Sequence, residues 1–155
     1  MKNFIELVRG CLTEVREIMP WDLEERRAAN PELLILDVRE PYEFYAMHIP
    51  GSINVPRGIL ESACEWDYEE TVPELVTGRD REIVVVCRSG YRSILATHVM
   101  QVLGFTNVAS IQTGLRGWKD YEQPLEDAHG NEVDLDEADI YFTPVLRPDQ
   151  MRPAA

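Results

Sequence analysis

The chain is poor in cysteine, in positive charge and in long apolar runs, and each shortage excludes something. There are 3 cysteines in 155 residues, Cys11, Cys64 and Cys87, an odd number without paired spacing, so a disulfide framework is excluded. Lys and Arg number 15 against 28 Asp and Glu, giving a net charge of −13, which argues against nucleic acid and against anionic membrane surfaces as partners. No apolar run approaches the ~20 residues of a membrane-spanning helix. The first twenty residues carry Lys2, Glu6, Arg9, Glu14, Arg16 and Glu17, a pattern unlike a secretory signal. The histidines lack mutual ligand spacing, so no metal site is expected. Asp134-Leu135-Asp136 does not extend into a calcium loop, because Ala138 stands where the next oxygen ligand belongs. A reducing cytoplasm with Cys87 as a free thiol fits this inventory.

What is present centres on residues 81–94. Ile83 to Val86 is a β-branched run bounded by charge, the pattern of a strand buried on both faces of a parallel sheet. It ends at Cys87-Arg88-Ser89-Gly90-Tyr91-Arg92-Ser93, and a helix is expected from about Ser93 to Leu103. Cys87 therefore falls at a strand-to-helix junction, where open α/β sheets bind ligands and free N–H groups collect. Cations and helix N-termini favour thiolate, the nucleophilic form of cysteine. Gly90 permits positive φ, so successive N–H groups can form an anion-binding nest. The bland alternative, a packed cysteine beside solvated arginines, is the weaker reading at this junction.

The rest of the chain supplies a frame. Residues 2–14 read as an amphipathic helix with Cys11 on its apolar stripe. Val15 to Ile18 reads as an edge strand, and Pro20 starts a helix running to Ala29. Leu33 to Leu36 is a second buried strand, ending in Asp37-Val38-Arg39-Glu40-Pro41. Pro41 to Ala46 carries Glu43, His48 to Gly51 is a turn, and Ser52 to Val55 a short strand. Arg57 to Glu65 is a modest helix that places Cys64 in packing, with a resolving-thiol role as the alternative. The acidic stretch Glu61 to Glu74 reads as a solvated face. A helix ending at Val76, a last strand at Asn107 to Ile111 and a helix opened by Gly114-Leu115-Arg116-Gly117-Trp118 complete an α/β alternation with a largely parallel sheet. Ile140-Tyr141-Phe142 reads as a short strand or docking segment, and residues 147–155 as a loose tail. The expected division is an N-terminal helix over 1–14, a catalytic domain over 15–125 and an acidic extension over 126–155.

Taken together these motifs resemble the single-domain rhodanese family of sulfurtransferases. The matching stretches are Asp37-Val38-Arg39-Glu40-Pro41 with Glu43-Phe44, His48 to Pro56, the loop Cys87 to Ser93, and Gly114 to Trp118, in the family's order. The resemblance implies a five-stranded, mostly parallel sheet flanked by helices on both faces. It implies that Cys87 takes a sulfane sulfur from thiosulfate or a persulfide, carries it as a persulfide, and passes it to a thiol or cyanide, with no metal or organic cofactor. Arg88, Ser89, Gly90, Tyr91, Arg92 and Ser93 would form the binding loop. Arg88 is the better candidate for holding an anionic donor, and Arg92 for bracing the loop against Asp37 or Glu43. Asp37, Arg39 and Glu43 would be supporting residues. The partners it implies are a small sulfur-containing anion or persulfide donor and a protein thiol acceptor.

Rival readings are a sulfur-relay carrier, an interaction module, and a phosphatase or arsenate reductase of the same fold. The last two carry five residues between cysteine and arginine. Here four separate Cys87 from Arg92, and the five-residue spacing lands on Ser93. A shorter loop is a smaller cradle, fit for one sulfur atom rather than a tetrahedral oxyanion.

Overall fold

The computed structural model describes residues 1–154. In chain order the helices are α1 (Phe4–Leu12), α2 (Pro20–Ala29), α3 (Pro41–Ala46), α4 (Leu60–Ala63), α5 (Pro73–Val76), α6 (Tyr91–Val102), α7 (Gly114–Asp120) and α8 (Leu135–Phe142). The strands are β1 (Glu17–Ile18), β2 (Leu34–Asp37), β3 (Ile53–Asn54), β4 (Ile83–Val86) and β5 (Val108–Ile111). They form one sheet in the order β1-β5-β4-β2-β3 with every pairing parallel. Every residue of β2, β4 and β5 is buried, including Asp37 at the end of β2 and Ser110 within β5, as expected of strands covered on both faces.

Alternation along the strands divides the core in two. Ile35, Val84, Val86, Ala109 and Ile111 pack with Leu23, Leu115, Trp118 and Phe142, which come from α2, α7 and α8. Leu34, Leu36, Ile83 and Val85 face the other way, toward Leu60, Leu75, Ala96 and Met100 of α4, α5 and α6. Cys87 continues the second set and so turns toward α6. A small third cluster, Val8, Val15 and Ile94, seats α1 against α6.

Three local expectations change. The helix after Cys87 begins at Tyr91, two residues before Ser93, because Gly90 at φ 97° serves as its cap. The segment from Arg57 is a 3-10 turn, Arg57–Ile59, followed by the four-residue α4. Ile140-Tyr141-Phe142 is the end of a helix, not a strand. Ala138 and Phe142, four apart, are buried on the α7 side of the sheet, and packing overrides the strand propensity of those three residues. Residues 143–154 are exposed, with a 3-10 turn at Pro148–Gln150. No helix among the described residues is long and apolar enough to cross a membrane.

Candidate active site

Parallel pairing brings the carboxyl ends of β2 and β4 side by side, with Asp37 in register with Val86. The chain leaves β4 at Cys87 and returns as α6, so the intervening loop curls around the sulfur. Gly90 N–H donates to Cys87 Sγ at 3.1 Å and Ser93 N–H at 3.3 Å. The Ser93 hydroxyl lies 3.3 Å from the same sulfur. Ser110, on β5, donates its hydroxyl to Ser93 Oγ at 2.8 Å, so Ser93 Oγ accepts from both Ser110 and the Cys87 thiol. Thr97 donates to the Ser93 carbonyl at 2.7 Å. Cys87 Sγ thus accepts from two backbone N–H groups and stands at the end of a hydroxyl chain.

The outer side of the loop is held by α7. Leu115 N–H donates to the Cys87 carbonyl at 2.8 Å and Arg116 N–H to the Arg88 carbonyl at 3.1 Å. With those carbonyls tied outward, the loop N–H groups are left to face inward. Cys87 is 1% exposed and is one of the residues, with Phe4, Arg88, Ser89, Tyr91 and Arg92, that line a pocket of about 270 Å³.

The two loop arginines do different things. Arg92 makes a bidentate pair with Glu43 on α3, at 2.7 and 2.9 Å. Burial alone would raise the Glu43 carboxyl, but hydrogen bonds from Arg92 and the Glu40 N–H, with the charges of Arg92 and Arg39, hold it below its ordinary value. The same hydrogen bonds hold Arg92 above its own. Arg88 makes no ion pair among the described residues; its guanidinium donates to the Phe142 carbonyl at 3.2 Å, at the end of α8.

Asp37 and Arg39 form a fully buried pair, 2.8 Å between Arg39 Nη2 and Asp37 Oδ2, with a further bond from Arg39 Nη2 to the Met47 carbonyl at 2.7 Å. Asn54 donates to the carbonyls of both residues at 3.0 Å. These bonds fix the turn that presents Glu43; none of them reaches Cys87. His48 bonds the Phe44 carbonyl at 2.9 Å and Glu126 at 3.2 Å, stacked on the Phe44 ring. Cys64 is buried in packing, and burial pushes its thiol up to about 11.

Sequence reasoning passed over Ser110, Thr97, Phe4 and the Phe142 carbonyl. Ser110 had a signal: it is the polar residue inside the otherwise apolar Val108 to Ile111 run. A main-chain acceptor such as that of Phe142 leaves none.

Comparison with known proteins places this architecture. The description of a rhodanese-like domain matches residues 20–121. A putative sulfurtransferase of Bacillus subtilis (strain 168), YtwF, is 31% identical over 111 residues, covering 72% of this chain and 97% of its own. The putative sulfur carrier protein YrkF of the same organism is 32% identical over 106 residues, 68% of this chain, and the chain spans about half of that relative, 52% of its length. Among solved structures, a Rhodopseudomonas palustris CGA009 protein of unknown function, described as a possible tyrosine phosphatase, aligns with a TM-score of 0.73 at 26% identity, over 81% of this chain and 96% of its own. Both Phe4 and Phe142 lie outside the matched residues 20–121. With the domain match covering most of its length, and a relative such as YtwF aligned almost end to end, the chain belongs to the rhodanese-like family.

Proposed function

We propose that the protein is a sulfurtransferase that moves a sulfane sulfur from thiosulfate or a persulfide donor, through a Cys87 persulfide, to a thiol acceptor. The observation that carries this reading is the sulfur itself: Cys87 lines a pocket, and its Sγ accepts from the N–H groups of Gly90 and Ser93. In the first half-reaction the Cys87 thiolate attacks the outer sulfur of the donor. An S–S bond forms to Cys87, the donor's own bond to that sulfur breaks, and sulfite or a thiolate departs with the electron pair. In the second, the acceptor thiolate attacks the outer sulfur of the persulfide. The Cys87 S–S bond breaks and the Cys87 thiolate is the leaving group. One environment that stabilises anionic sulfur serves both steps. The outer sulfur would rest against the N–H groups that open α6, which have no intrahelical acceptor. Arg88 would draw the anionic donor in, Arg92 with Glu43 would hold the loop, and Asp37 with Arg39 would hold Glu43. The acidic balance makes nucleic acid and anionic membranes unsuitable partners, and the unpaired cysteines favour a reducing cytoplasm.

A relay carrier that delivers sulfur to one partner protein differs only in its acceptor, and the likeness to YrkF, named a putative sulfur carrier, favours keeping it as a second reading. Phosphatase chemistry, raised by the description of the Rhodopseudomonas palustris protein, is disfavoured by Arg92: both of its terminal nitrogens are already bonded to Glu43. The experiment is mass spectrometry after thiosulfate or glutathione persulfide treatment. One added sulfur, about 32 mass units on the Cys87 peptide and absent in Cys87→Ser, is expected. No adduct from either donor, or an aryl phosphatase activity abolished by Cys87→Ser, would overturn the reading.

A further inference from the structure

One wall of the Cys87 pocket comes from α1, outside the residues matched to the family. Phe4, the first residue of that helix, meets Tyr91 edge to face, ring centroids 5.8 Å apart at 85°. The helix start is capped, and the helix is packed on α6. Asn3 Oδ1 accepts from the Glu6 N–H at 2.9 Å while Glu6 returns a bond to the Asn3 N–H at 3.0 Å. Val8 and Val15 then pin the helix to Ile94 of α6. Both rings stay about half exposed, at 52% and 45%, so they are held at the rim without being buried by the protein itself. Below them the sulfur is all but inaccessible, and a donor must pass between the rings and the arginines.

The charge at that rim is smaller than the sequence suggests. Arg92 is neutralised by Glu43, whereas Arg88, which lines the pocket and donates to the Phe142 carbonyl, has no carboxylate partner among the described residues. One uncompensated cation beside an aromatic edge, on a protein of net charge −13, matches a monoanion with an apolar body better than a dianion. We propose that the Phe4–Tyr91 wall makes the protein selective for a monoanionic sulfur donor carrying a flat apolar group, of the arylthiosulfonate type, over thiosulfate.

This selectivity rests on the sulfurtransferase reading and adds a substrate class to it. The step balances: the Cys87 thiolate attacks the outer sulfur of ArSO2S⁻, the new S–S bond forms, the S–S bond to the sulfonyl group breaks, and ArSO2⁻ leaves with the electron pair.

The test measures initial rates of Cys87 persulfide formation with benzenethiosulfonate, methanethiosulfonate and thiosulfate, each divided by the rate with free glutathione thiolate. That division removes the intrinsic reactivity of each donor. The expected order is benzene over methane by about three- to tenfold, the range for one aromatic contact, with thiosulfate slowest. Phe4→Ala brings the benzene-to-methane ratio to about one, and Phe4→Trp keeps it. A wild-type ratio near one, a ratio unchanged in Phe4→Ala, or thiosulfate as the fastest donor would overturn the selectivity while leaving sulfur transfer intact. Failure of all three donors to form a persulfide would overturn sulfur transfer and the selectivity with it.

Discussion

Gly114 offers a quantitative test of how α7 holds the Cys87 loop. A Cβ built there meets the Arg88 carbonyl carbon, the Arg88 oxygen and the Cys87 oxygen, each at 2.5 Å. All three are backbone atoms, so no side chain can swing aside. Ordinary contact begins at 3.4 Å, so α7 and the loop must part by about 1 Å. That movement breaks the bonds from Leu115 N–H and Arg116 N–H to the Cys87 and Arg88 carbonyls. The Cys87 carbonyl is buried, and leaving it unpaired costs about 1–3 kcal/mol. The backbone adds a second cost: Gly114 sits at φ 61°, where a side chain costs about 1–2 kcal/mol. Gly114→Ala should therefore lose about 2–5 kcal/mol, which at about 2–4 °C per kcal/mol lowers Tm by about 4–20 °C. Gly104→Ala is the control. It has φ 93° but nothing within 4 Å of its built Cβ, so only the backbone cost applies, a fall of about 2–8 °C. Differential scanning calorimetry of the two variants, with the rate of Cys87 persulfide formation as a second readout, decides. Equal Tm losses, or normal loop reactivity in Gly114→Ala, would refute the claim that close backbone approach by α7 shapes the loop.

Three further outcomes are expected. Glu43→Gln loses about 1–2 kcal/mol at pH 7, because Glu43 is ionised and held below its ordinary value; that contribution is present above the unfolded carboxyl pKa of about 4.3 and is lost as pH falls through the lower folded value. Urea titrations of both proteins should therefore converge at acid pH, and a gap that stays constant from pH 7 to pH 3 would contradict it. Ser110→Ala removes the donor to Ser93 and slows persulfide formation about three- to tenfold in a stopped-flow time course, with little change in Tm; an unchanged rate would remove Ser110 from the site. Cys64, buried and with its thiol pushed up to about 11, should escape iodoacetamide at pH 8 in the folded protein, and peptide mapping that finds it alkylated before global unfolding would contradict its place in the core.

The sheet was legible because β2 and β4 are continuous apolar runs, and only burial on both faces explains such runs. The site was legible where chemistry and spacing coincide, at Cys87 and the arginines after it. What escaped was contact made by residues distant in sequence. Ser93 and Ser110 are 17 positions apart and meet only because β4 and β5 pair in parallel. Arg88 and Phe142 are 54 apart, and the acceptor is a carbonyl that any residue would supply. The misreading of Ile140 to Phe142 has the opposite cause. Three residues with strand propensity outweighed the longer-range cue, Ala138 and Phe142 spaced to share one face of a helix that α7 covers.

The two ion pairs behind the loop show how the fold and the site are coupled. Burying the Asp37–Arg39 pair costs several kcal/mol of desolvation per ion, and attraction with good hydrogen bonding offsets it only in part, so the pair is a poor source of stability. What it supplies is position. Arg39 is tied to Asp37 at the end of β2 and to the Met47 carbonyl just past α3, so it fixes α3 against the sheet. Glu43 on α3 then fixes Arg92 in the first turn of α6, and α6 carries the Ser93 N–H to the sulfur. Apolar residues of equal volume could fill the same space, but they could not transmit an orientation from β2 to the loop. The same chain of contacts limits the chemistry. Because both terminal nitrogens of Arg92 are committed to Glu43, the groups that meet the Cys87 sulfur are backbone N–H groups, and under the proposed function Arg88 is the arginine left to meet a donor.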